Sequence, residues 1–198
     1  MSFLLSLIFA AFDTRNEQDL AARLKRREPQ AMADLYDLYG KLVFSVILRI
    51  VRESGVAEDL TQETFLRVWN RAQFFDEEKG ALGPWILTVA RNRAIDYIRS
   101  VDGRMAQKTT DFEPAREHPS GFVNLERDLI NSDRARVLRG AFARLSPNQR
   151  MVIEMAYYEG LSQTEMAERM KQPLGTVKTW VRAALKILRS ELDEVVSV

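Results

Sequence analysis

Apolar positions recur three and four residues apart along most of the chain, and strand-like alternation is nearly absent. That periodicity predicts an all-α protein. The first segment, Glu17 to Arg27, is a short helix ended by Glu28-Pro29. Gln30 to Val51 follows as a long one, with Leu35, Leu38, Tyr39, Leu42, Val43, Val46, Ile47 and Ile50 forming a buried stripe, and Ser54-Gly55 ending it. Val56 to Ala72 is the next helix, burying Leu60, Phe65, Val68 and part of Trp69. Gln73 to Gly83, with two glycines, reads as a loop. Pro84 restarts a helix to about Ser100, whose inner face is Ile86, Val89, Ala90, Ala94, Tyr97 and Ile98.

The periodicity then fails over residues 101–133, where Gly103, Pro114, Pro119 and Gly121 interrupt it and residues 109–133 carry six acids against two bases. This is read as an acidic linker. It resumes near Arg134 with Val137, Leu138, Ala141, Phe142 and Leu145. Ser146-Pro147 supplies an N-cap and a first-turn proline for a helix through Val152, Ile153 and Ala156, stopped by Gly160. Leu161 to Met170 and Thr176 to Arg189 then form a helix-turn-helix: Ser162 and Glu165 make a capping box, Pro173 and Gly175 break between the helices, and Ala167 is small where they cross. The domain reading is thus an apolar extension at 1–16, helical domains at 17–100 and 134–198, and a linker at 101–133. For 198 residues with 46% hydrophobic content, two small cores fit better than one large one.

At about 100° per residue the last helix divides into two stripes. Val177, Trp180, Val181, Ala184, Leu185 and Leu188 share one face, while Lys178, Arg182, Lys186 and Arg189 line another with Thr179 at its edge. A cationic stripe supplies counterion-release affinity for a duplex, and Thr176, Lys178, Thr179 and Arg182 are placed to reach base edges in a major groove. A solvated surface helix is the bland alternative, but the capped helix and turn before it favour DNA.

The net charge of +1 conceals this polarity: residues 53–64 carry Glu53, Glu58, Asp59 and Glu63 without a base, and residues 171–190 carry five bases without an acid. With no cysteine and only His118, neither disulfides nor the usual thiolate and imidazole metal sites are expected, and no cofactor is implied. Phe3 to Phe12 is apolar except for Ser6, too short to span a bilayer, and is read as a packed or frayed extension.

Three runs, Asp59-Leu-Thr-Gln-Glu-Thr-Phe-Leu-Arg-Val-Trp69, Trp85-Ile-Leu-Thr-Val-Ala-Arg-Asn-Arg-Ala-Ile-Asp-Tyr-Ile-Arg99 and Leu145-Ser-Pro-Asn-Gln-Arg150 ahead of the helix-turn-helix, together resemble the extracytoplasmic-function sigma factors of the sigma-70 family. The likeness runs from about Glu17 to Leu192. It implies region 2 in the first domain, region 4 in the second, and a cytoplasmic protein that brings core RNA polymerase to promoter DNA.

The resemblance implies that Asp59, Gln62, Glu63 and Leu66, spaced as one helix face, dock on the clamp helices of the polymerase largest subunit. It implies that Phe74 to Arg99 holds the minus-10 element. There Arg91, Arg93 and Arg99 would meet phosphates, Asn92 a base edge, and Phe74 and Phe75 either a flipped base or the core. Trp85 and Tyr97 read as core before base contact. The minus-35 element falls to Thr176, Lys178, Thr179, Arg182 and Lys186, and the linker would lie along the basic interior of the polymerase. An anti-sigma factor is the further partner implied, and no small-molecule substrate is. A duplex-binding regulator built on the C-terminal module alone would leave the 59–66 stripe unexplained. An enzyme would need a convergent nucleophile, base or ligand set, and none is evident in the sequence.

Overall fold

The computed structural model describes residues 14–106 and 140–196, with side-chain surroundings for 17–101 and 140–190. Among these residues the chain is helical and has no strand. Helix α1 is Thr14–Lys25, α2 Pro29–Val51, α3 Ser54–Arg71 and α4 Leu82–Ala106. After the helical residues 140–143 come α5 (Pro147–Glu154), running into a wider π turn at Met155–Glu159, then α6 (Gln163–Met170) and α7 (Leu174–Val196). The apolar extension before Thr14, most of the acidic linker, and the expected core positions Val137 and Leu138 lie outside the described residues.

Helix α2 is the axis of the first unit. Leu35, Tyr39, Val43, Val46 and Ile47 are all buried at its three-and-four spacing, against α3 through Leu60, Phe65 and Val68 and against α4 through Ile86, Leu87, Ala90 and Ala94. Each large apolar side chain so buried contributes roughly 1.5–3 kcal/mol over its exposed state. Leu38, expected in that stripe, is instead exposed, because it falls on the flank of α2 that neither neighbour covers.

Several element ends differ from expectation. Ser54 and Gly55 do not end α2; they open α3, and the break is at Arg52, whose backbone is left-handed (φ 63°). Helix α4 begins at Leu82, two residues before Pro84, because the buried Glu17 carboxylate accepts from the Leu82 N–H at 3.2 Å and from the Tyr39 hydroxyl. An anion at a helix N-terminus satisfies an orphan donor and the positive end of the dipole together. The 73–83 stretch contains short tight turns at Ala72–Phe74 and Glu77–Lys79. Helix α4 runs on to Ala106, past the linker boundary expected at 100/101.

In the second unit both predicted caps form. Ser146 and Gln149 close one capping box, Ser162 and Glu165 another, each cap worth about 1 kcal/mol. The hydrogen bonds from Ser162 hold the Glu165 carboxyl below its ordinary range. Gly160 ends the π turn in the left-handed region (φ 68°), as a stop there requires. The helix-turn-helix bend does not use Gly175, which lies in the first turn of α7; its left-handed residue is Lys171 (φ 51°). Lys171 N–H donates to the Glu168 carbonyl at 3.2 Å and Gln172 N–H to that of Ala167 at 3.0 Å, a Schellman closure made without glycine.

Val152, Met155, Ala156, Met166, Ala167 and Val177 form the small core of the helix-turn-helix. The expected pair of separate cores is modified by what lies behind it. Phe142, Leu145, Ile153, Tyr157, Tyr158, Ala184 and Leu188 join the apolar cluster of the first unit. The π turn is what reaches across, packing on both α2 and α4.

Candidate nucleic-acid interface

Helix α7 presents the two faces its sequence predicts. Val177, Ala184 and Leu188 are buried with Trp180, Val181 and Leu185 half-buried beside them, and Lys178, Thr179, Arg182 and Lys186 are exposed. Thr176 is half-buried at the helix start, and the Thr179 hydroxyl donates to the Gly175 carbonyl at 2.9 Å. Burial of one stripe thus forces the other outward, since both are fixed by a single helical phase.

Helix α3 does the same with opposite charge. Its inner face is Ala57, Leu60, Thr61, Thr64, Phe65 and Val68, leaving Asp59, Gln62, Glu63 and Leu66 exposed, Leu66 at 59%. Thr61 and Thr64 are buried yet satisfied, each hydroxyl donating 2.7 Å to the carbonyl four residues back. Beside this face Tyr36 stacks obliquely on Phe65 with ring centroids 5.1 Å apart, and is itself half open. Glu63 is paired with Arg93 of α4, so this acid is not a bare charge.

The α4 set is arranged differently from expectation. Arg91 is only 7% exposed; its Nε donates 2.7 Å to the Tyr157 carbonyl, its Nη2 donates to that of Ala156, and its guanidinium lies over the Tyr157 ring. Burial draws its pKa below the ordinary arginine value. Arg99 donates 2.8 Å to the Gly160 carbonyl, and Arg93 holds Glu63. Asn92 is exposed and its side-chain oxygen accepts from Arg91 at 3.2 Å. In this arrangement the three arginines face protein partners.

The two loop aromatics part company: Phe74 is 75% exposed, whereas Phe75 is buried with its ring centroid 5.2 Å from that of Trp85 and Lys25 over its face. Phe75 therefore belongs to the core, for which the adjacent tight turn at Ala72–Phe74 is responsible. Half-buried Trp85 and Tyr97 pack on the same cluster.

What the sequence reading missed is the receiving side, the carbonyls of the π turn. A helix C-terminus leaves acceptors without N–H partners, and the widened turn displaces more of them outward. Among the described residues no group of three or more His, Asp or Glu is gathered to hold a metal, and no helix is long and apolar enough to cross a membrane.

The sequence matches known proteins. Residues 35–104 match Sigma-70 region 2, residues 135–188 match Sigma-70, region 4, and ECF RNA polymerase sigma factor SigK of Mycobacterium tuberculosis is 35% identical over 90% of this chain and 96% of its own. The chain belongs to the ECF sigma factors. Its function is accordingly promoter-specific initiation of transcription by RNA polymerase. SigK of Mycobacterium ulcerans is similar at 33% identity, over 88% of this sigma factor and 92% of the relative. Among solved structures, Rhodobacter sphaeroides SigE in complex with the anti-sigma ChrR is 28% identical over 90% of this chain and 99% of that one, with a TM-score of 0.47.

Proposed function

We propose that this sigma factor divides its work between an acidic docking face on α3 and a cationic reading face on α7, with α4 supplying the second DNA contact. The observation that carries the proposal is the outward set of Lys178, Arg182 and Lys186 on α7 opposite the outward set of Asp59, Gln62, Glu63 and Leu66 on α3. The α3 face, acidic with one exposed leucine at its end, suits a basic helical surface of core polymerase. Helix α7 has the length and charge to lie in a major groove over the minus-35 element, with Thr176, Lys178, Thr179 and Arg182 toward the bases and Lys186 toward phosphate.

At the minus-10 element, exposed Phe74 is the residue available to stack on an extruded base, and Asn92 the one to read a base edge. Arg91, Arg93 and Arg99 become phosphate contacts on exchanging their protein partners for DNA. Polymerase holds both readers at a fixed separation, so two weak contacts act at high effective concentration and neither domain needs tight affinity alone. The division at about 100 and 134 into regions 2 and 4, a cytoplasmic location, the absence of a catalytic role, and control by an anti-sigma factor covering these faces complete the reading.

Transcription with purified core polymerase on a promoter library tests it. Initiation from a defined promoter set is expected, lost when Lys178, Arg182 and Lys186 are replaced together by alanine. Unchanged promoter choice by that variant would remove α7 as the reader.

A further inference from the structure

We infer that the C-terminal turn of α1 is a positioning device for the loop between α3 and α4: Arg27 and Lys25 fix the backbone on either side of Phe74 and so set where its ring meets an extruded base. The inference deepens the proposed role of Phe74 and rests on it.

The turn carries an unexpected residue. Helix α1 closes as a Schellman motif, with Arg27 N–H donating to the Leu24 carbonyl at 3.0 Å and Glu28 N–H to that of Arg23 at 3.1 Å, and Arg27 occupies its left-handed position (φ 61°). Glycine is the usual occupant there, because a Cβ disfavours that backbone. The side chain gives the reason for an arginine. Its Nη1 donates to the Trp69 carbonyl at 2.7 Å and its Nη2 to that of Asn70 at 3.3 Å, while the guanidinium lies over the Trp69 ring at 5.4 Å. The end of one helix thus caps the end of another.

That cap falls where the loop begins. The Trp69 carbonyl also accepts the Ala72 N–H that opens the tight turn Ala72–Phe74, so Arg27 holds the peptide from which the turn springs. On the far side, Lys25 Nζ reaches Glu77 Oε1 at 3.0 Å and lies 5.7 Å over the ring of buried Phe75. Asp76 orders the next turn, accepting from the Glu78 N–H at 3.1 Å and pairing with Lys79 at 2.7 Å. Phe74, 75% exposed, is therefore aimed by neighbours fastened before and after it. The contacts made by Lys25 and Arg27 are open to solvent, where such bonds add little to stability, so what they supply is placement. A ring that must receive an extruded base gains rate from being held in position beforehand.

The test uses the full chain with core polymerase on a promoter that the wild type opens, carrying a fluorescent adenine analogue in the minus-10 element to report unstacking. Arg27→Gly removes the side chain yet suits the left-handed backbone, so the fold is expected to hold in thermal melts. Opening is expected to slow by at least about tenfold with affinity for core polymerase unchanged, and the same promoter pre-opened by mismatches is expected to be used within about twofold of wild type. Phe74→Ala is expected to show the same pattern, and Arg27→Gly added to it to cost nothing further. Lys25→Glu gives an independent arm: it is expected to slow opening, and Glu77→Lys in the same chain to restore it. Normal opening by Arg27→Gly and Lys25→Glu beside slow opening by Phe74→Ala overturns the positioning and leaves Phe74 as the base contact. Normal opening by Phe74→Ala overturns the reading of Phe74, and positioning through its ring with it. A loss from Arg27→Gly that adds to that of Phe74→Ala, or that persists on the pre-opened promoter, overturns the positioning in favour of a direct DNA contact or a general defect.

Discussion

The two cationic sets of this sigma factor carry the same sign of charge and are used in opposite ways. On α7, Lys178, Arg182 and Lys186 point outward and, among the described residues, meet no acid. On α4, Arg91, Arg93 and Arg99 are each bonded to protein, two of them to backbone carbonyls of the other unit. The lesson is that a helix stripe is settled by its own opposite face, whereas a partner from a distant segment can claim a cation however it is spaced. Local periodicity governs the first case, and tertiary chemistry the second.

The strongest way to break the contrast is to remove the α7 charges. Lys178→Ala, Arg182→Ala and Lys186→Ala together are expected to weaken duplex binding by roughly a hundredfold and to flatten the salt dependence by about 0.9 per lost phosphate contact, seen in a salt-titrated binding curve. Folding should barely change, as at most exposed positions. Arg91→Ala is expected to do the reverse. It leaves the carbonyls of Ala156 and Tyr157 without their donor, so urea denaturation should show a loss of about 2–3 kcal/mol.

A smaller effect is expected on the acidic side. Asp59→Arg should lower affinity for core polymerase by about tenfold in calorimetric titration while the melting temperature stays within a degree or so, since the residue is exposed. The least change is expected for Glu63→Gln. Its bond to Arg93 is a partly exposed ion pair, which typically contributes less than about 1 kcal/mol, so stability should hardly move. Released Arg93 would nevertheless raise the salt slope of region 2 binding slightly.

Legibility followed the same line. The N-cap at Ser146, the capping box at Ser162 and the faces of α3 and α7 could be read directly, because each depends on residues within one or two helical turns. Phe75 could not be told from Phe74, its neighbour in sequence, because only the tight turn between α3 and α4 decides which ring faces Trp85. Arg52 and Lys171 adopt left-handed backbone without being glycine or asparagine, so the nearby Gly55 and Gly175 drew the boundaries to the wrong places. The π turn leaves no periodic trace in five residues. Its one sequence mark is Gly160, which reads as an ordinary helix stop and is also the seat for Ile95.

The carboxylate of Glu17 bears on how this protein should be trimmed. The region 2 match begins at residue 35, yet the group that seats the first N–H of α4 and receives the Tyr39 hydroxyl sits eighteen residues upstream of it. A fragment cut at the match boundary would strand both donors in an apolar interior. Expression boundaries drawn upstream of α1 keep the anchor that a family alignment alone would discard.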